Sequence, residues 1–137
     1  MSRKIFIIVV LFQLFLSVGC SQNVKVTGNV TFTDGEPVKF GSVVFETPKN
    51  SYSARLNQDG FYSIGDTKDG AGIPEGDYKI WLAGTDEITE TGSDENIETT
   101  TKPRVNSKYT NADKSGLKLE VKRGAKQKFD FKVERPE

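Results

Sequence analysis

From Val24 onward the apolar residues recur at every second position, the spacing of a half-buried strand, and no stretch holds a helical period. In "VKVTGNVTF", Val24, Val26, Val30 and Phe32 fall on one face, with Lys25, Thr27, Asn29 and Thr31 on the other. "TDGEP" then supplies a turn, with Asp34-Gly35 as hairpin chemistry and Pro37 unable to donate to a central ladder. "GSVVFE" follows with Val43 and Phe45 inward. "YSARL", the turn "NQDG" and "FYSI" read as a hairpin that buries Tyr52, Ala54 and Leu56 with Tyr62 and Ile64. "GIPEGDYKIWL" alternates Tyr78, Ile80 and Leu82 with Asp77, Lys79 and Trp81. The ending predicts two more strands, one on Leu117, Leu119 and Val121 and one on Phe129, Phe131 and Val133.

Between Ala83 and Arg104 the apolar period lapses, and this stretch is expected to be a long, mobile, acidic loop. Seven short strands punctuated by turns predict an all-β fold, a single seven-stranded β-sandwich over residues 24–134 with one polar face on each sheet.

The first residues follow another pattern. Arg3 and Lys4 precede an apolar run from Ile5 to Val18, and Gly19-Cys20 closes it. That is the layout of a secretory signal, and the run is shorter than the roughly 20 apolar residues a membrane span needs. Residues 1–19 are therefore expected to be removed. The stretch "LSVGC", ending on Cys20, resembles the lipobox of bacterial lipoproteins, although Ser17 holds the slot that the family prefers to fill with leucine. The resemblance implies cleavage before Cys20 and acylation of its thiol and new amine. Two or more acyl chains anchor a protein stably, at about 0.8 kcal/mol for each buried CH₂. Ser21, Gln22 and Asn23 are then a tether of at most about 10 Å. Serine after the cysteine resembles outer-membrane sorting signals, so the expected location is the bacterial cell envelope, at its outer membrane.

Composition narrows the chemistry. The chain of 137 residues holds 19 basic and 19 acidic residues, and loss of Arg3 and Lys4 leaves 17 bases against 19 acids, a net charge of −2. This argues against a nucleic-acid partner, which calls for a strongly basic face. The charge is uneven: residues 86–98 carry six acids and no base, whereas residues 102–135 carry eleven bases and four acids. One cysteine excludes an intrachain disulfide, and the absence of histidine excludes Ser-His-Asp and Cys-His catalysis and histidine zinc sites. About 115 residues remain to fold on their core alone. No enzymatic activity and no cofactor are expected.

"VTGNVTFTDGEPVKFGSVVF", "DGFYSI" and "IPEGDYKIWL" together resemble the carboxypeptidase regulatory-like domain family of transthyretin-like, Ig-like sandwiches, and "KYTNADKSGLKLEVKRGAKQKFDFKV" resembles the ending of its short planctomycete-type lipoproteins. The resemblance covers nearly all of residues 24–133 and implies a fold more than a function. Hydroxyisourate hydrolysis in related folds relies on histidines, which this chain lacks, and the zinc-bearing catalytic domain of carboxypeptidases is missing. Some related adhesin sandwiches form an internal isopeptide bond. Here Lys25 and Asp130 both alternate out of phase with the buried positions, which withholds the desolvation that reaction needs.

Three further features bear on binding. Phe61 and Trp81 fall on the polar faces of their strands, and pairing Tyr62 with Ile80 would set them opposite one another as an aromatic platform for sugar rings. Asp66, Asp69 and the six acids of residues 86–98 could offer oxygen ligands to calcium, but none follows a spaced calcium-loop pattern, and no metal site is expected. Asn29-Val30-Thr31 fits a glycosylation sequon that carries no weight inside a bacterial strand, and Tyr109 is expected to pack the long loop onto the sandwich. The expectation is a lipid-anchored structural or protein-interaction module, with carbohydrate binding through Phe61 and Trp81 as the alternative. Expected partners are the membrane, through the anchor, and an envelope protein or glycan.

Overall fold

A computed structural model describes residues 23–65, 72–124 and 126–137. Cys20, the signal segment, Asp66 and Asp69 lie outside the described residues. The fold is a β-sandwich with ten strands among the described residues. They are β1 (Val26–Phe32), β2 (Ser42–Glu46), β3 (Ser51–Arg55), β4 (Phe61–Ile64), β5 (Gly76–Ala83), β6 (Asp86–Ser93), β7 (Asn96–Pro103), β8 (Leu117–Val121), β9 (Gln127–Lys128) and β10 (Phe131–Val133).

One sheet centres on β1, which pairs antiparallel with β4 and parallel with β9 and β10. The other runs β3-β2-β5-β8, all antiparallel. The core lies between them, where alternation places it: Val26, Val30 and Phe32 of β1, Phe45 of β2, Tyr62 and Ile64 of β4, and Tyr78, Ile80 and Leu82 of β5 are all buried. Burial alternates strictly along β1, as the sequence pattern requires. The Tyr62 hydroxyl crosses the core to donate to the Phe129 carbonyl at 2.5 Å, and burial pushes this phenol well above its ordinary pKa, with the Asp130 charge adding to the shift.

Two expectations about the chain path are corrected. Residues 51–64 are not a hairpin, because β3 pairs with β2 in one sheet and β4 with β1 in the other. "NQDG" is instead the corner between sheets. Asn57 builds it by accepting from the amides of Asp59 and Phe61, and its own amide donates to the Phe61 carbonyl. A corner and a hairpin need the same local turn chemistry, so alternation could not separate them.

The second correction concerns residues 83–104, expected to be a mobile loop and here a paired ribbon of β6 and β7 in register from Asp86↔Pro103 to Ser93↔Asn96. The period that marks a strand comes from one-sided burial, and this ribbon buries neither face. Its signal in the sequence is threonine content, not hydropathy. The strand count therefore exceeds the seven expected by the ribbon and by the splitting of the C-terminal strand into β9 and β10.

Candidate functional site

The sandwich has two distinct poles. At one, the amide and carbonyl of Val24 exchange hydrogen bonds with Ile73 at 2.7 and 2.8 Å, just before β5 begins at Gly76. The starts of β1 and β5 thus lie together, beside the residue that follows the expected tether. At the other pole β1 and β5 end, and there the ribbon leaves the body.

The base of the ribbon is firmly seated. Thr85 is buried, and a side chain on Gly41 would meet the Ala83 carbonyl at 2.6 Å, so only glycine lets β5 turn out this closely. Arg104, one residue past β7, pairs with Glu87 at 3.1 Å and lies 4.8 Å from the centre of the Phe40 ring. Phe40 packs tilted against Phe32, over which Arg135 stacks at 4.0 Å while pairing with Asp34 and Glu36. Arginine over an aromatic face combines charge attraction with planar stacking. Beyond the ribbon, Val105 and Tyr109 return to the core, Tyr109 within a 3-10 turn (Ser107–Thr110) capped by Asn106. This is the packing role expected of Tyr109.

Every residue of β6 and β7 is exposed, including Ile88 at 66% and Ile97 at 60%. Both isoleucines project from one face, with Asp86, Glu90, Thr99 and Thr101, and the opposite face is wholly polar. Of the ribbon's six acids only Glu87 has an ion pair among the described residues. Asp86, Glu90, Asp94, Glu95 and Glu98 project into solvent without one. No group of acids among the described residues is gathered closely enough to hold a metal ion.

The aromatic platform is not assembled. Phe61 pairs with Asn29 in the β1 sheet, whereas Trp81 pairs with Val44 in the β2-β5 sheet, so the two rings lie on opposite outer faces. Both do point away from the core, as alternation requires. Phe61 is 39% exposed, and the half-buried Trp81 indole donates to the Glu46 carboxylate at 2.9 Å. Val44, its cross-strand neighbour, is buried on this outer side although the main core lies on the other. Asp130 is exposed and accepts the Asn29 amide at 2.8 Å, a surface role outside the core.

Along one flank, the edges of β3 and β4 face each other across a cleft of about 580 Å³ whose walls include Arg55, Phe61 and Ser63. On the other flank, Gln127 accepts from the Lys122 amide and donates to the Glu120 carbonyl, which covers the C-terminal end of the β8 edge.

No family model and no curated protein matches the chain. Among solved structures, a DUF3823 family protein from Bacteroides ovatus is 16% identical, with a TM-score of 0.45 over 81% of this chain and 44% of its own. The Bacillus anthracis TIE protein is 13% identical, with a TM-score of 0.46 over 82% of this chain and 16% of its own. A 9R-lipoxygenase from Cyanothece is 15% identical, with a TM-score of 0.34 over 84% and 16%. The chain spans less than half the length of each, and likeness at this level assigns neither family nor activity.

Proposed function

We propose that this protein is a non-enzymatic interaction module of a bacterial cell envelope, held to the outer membrane by acyl chains on Cys20 and presenting its acidic ribbon away from the bilayer. The observation that carries the reading is the polarity of the fold: the first described residues lie at one pole and the ribbon at the other. Laid end to end, the eight residues of β5 and the eight of β6 span at most about 50 Å, which bounds how far the ribbon tip stands from the start of β5. The lipobox-like stretch before Cys20 and the likeness of the strand motifs to carboxypeptidase regulatory-like lipoproteins support the same reading. So does the surface position of the carboxylates, none of which is buried among the described residues. A sugar platform built on Phe61 and Trp81 is set aside, because two faces of one sandwich cannot stack on one ring.

The test is membrane fractionation of the wild-type chain beside Cys20→Ala, with intact-mass measurement of both. The reading expects a membrane-bound wild type heavier than its polypeptide by the added acyl groups and a variant that carries none. Unmodified Cys20 in a soluble wild type would end the lipoprotein reading.

A further inference from the structure

A two-stranded ribbon with no third strand and no packed face is marginal in water, yet here it is buttressed at its base and, among the described residues, left uncovered along both outer edges. The two edges differ. β7 ends on Pro103 and carries both Lys102, opposite Glu87, and Glu98, whereas β6 carries Asp86, Glu87 and Glu90 with no proline and no base. On the face that holds the exposed isoleucines, β6 presents Asp86, Ile88 and Glu90 in sequence, an apolar residue flanked by carboxylates. Glu87, on the opposite face, is held by Arg104, while Asp86 and Glu90 have no ion pair among the described residues.

We propose that the outer edge of β6 accepts an extended cationic segment of a partner protein as a third strand. Main-chain hydrogen bonds of such an added strand supply affinity, and alternate side chains supply specificity. The β6 pattern selects a strand in which two basic residues flank an apolar one at alternate positions, the apolar side chain lying beside Ile88 and the bases opposite Asp86 and Glu90. Charge also decides against pairing with the β6 edge of a second copy, since the three acids of β6 would then face three of the same sign with no base between them. Gln127 covers the end of the β8 edge with two side-chain hydrogen bonds, and β6 has no such cover among the described residues. The partner's approach from the side away from the bilayer rests on the anchored reading above, whereas the β6 site does not.

The test uses the full-length protein in detergent, titrated calorimetrically with a synthetic heptapeptide in which two lysines flank a central valine at alternate positions and threonine fills the rest. Binding is expected at about 20 mM salt and at least tenfold weaker at about 200 mM, where screening shortens the reach of exposed charges. The double variant Asp86→Lys, Glu90→Lys is expected to lose at least tenfold toward this peptide and to gain the glutamate version of it. Ile88→Ser should weaken the lysine peptide without reversing its preference. Equal binding to wild type and the double variant, no binding at low salt, or salt-sensitive self-association of the protein alone would each overturn the proposal. Because the peptide is read in detergent, a soluble, unacylated wild type would end the anchored reading and leave this result standing.

Discussion

Substituting Gly28 by alanine should destabilise the fold, the reverse of what strand propensity alone predicts. Gly28 lies in β1 opposite Tyr62, directly beneath the bridge from the Tyr62 hydroxyl to the Phe129 carbonyl. A Cβ built there falls 1.9 Å from the Phe129 oxygen and 2.8 Å from the Tyr62 hydroxyl. Carbon–oxygen contact needs about 3.4 Å, so the segment between β9 and β10 must retreat by about 1.5 Å. That strains the amide of Phe129 on the Thr27 carbonyl, at 2.8 Å, and the tyrosine bridge at 2.5 Å. Two weakened hydrogen bonds cost about 1 kcal/mol each, and overpacking adds about 1–3 kcal/mol. Alanine recovers up to about 1 kcal/mol from the unfolded chain, leaving a net loss of about 2–4 kcal/mol. For a domain of this size that lowers Tm by about 8–16 °C. Thermal unfolding followed by circular dichroism, with urea unfolding as the check, measures it. The double variant Gly28→Ala, Tyr62→Phe should lose less than the sum of the single losses, since removing the hydroxyl relieves part of the clash. A Tm unchanged or raised in Gly28→Ala would refute the packing of β1 against Phe129.

Three further outcomes follow from the geometry. Replacing residues 86–103 by a short glycine turn should change stability by no more than about 1 kcal/mol, because the ribbon contributes no buried side chain, and a loss of several kcal/mol by urea unfolding would contradict this. Phe61→Ala should leave the emission of the single tryptophan unmoved while Glu46→Ala shifts it, and the opposite result would place both rings on one surface. The amide of Glu36, and then Arg135, hold the Asp34 carboxyl below its ordinary value of 3.8, so its contribution is present above that value and lost as pH falls through the depressed one. Asp34→Asn should therefore flatten the acid limb of the stability profile below about pH 4, and an unchanged limb would remove Asp34 from the account.

Much of the sandwich was legible in the sequence because burial on one side writes a period of two. Val24 through Phe32 and Tyr78 through Leu82 lie as their alternation requires, and Tyr109 is buried as expected. What alternation cannot carry is the identity of the neighbouring strand. Tyr62 and Ile64 point into the same core whether β4 pairs with β3 or with β1, so the hairpin and the Phe61–Trp81 platform were errors of adjacency; the burial of Tyr62 and Ile64 stands, while Tyr52 and Ala54, on an edge strand, are only half-buried. The ribbon was missed for the opposite reason: a strand exposed on both faces has no hydrophobic period to read. Its threonines were the available signal. The chemistry at Cys20 rests on sequence alone, since that residue lies outside the described ones.

The central claim is a module tethered at one pole with its ribbon at the other. It is tested most directly by fluorophores placed singly through Asp94→Cys at the ribbon tip and Lys122→Cys beside the opposite pole, in a chain whose own cysteine is acylated. In vesicles bearing a headgroup quencher, the account predicts strong quenching at position 122 and little at position 94. Equal quenching at both positions, or stronger quenching at the ribbon tip, would contradict it.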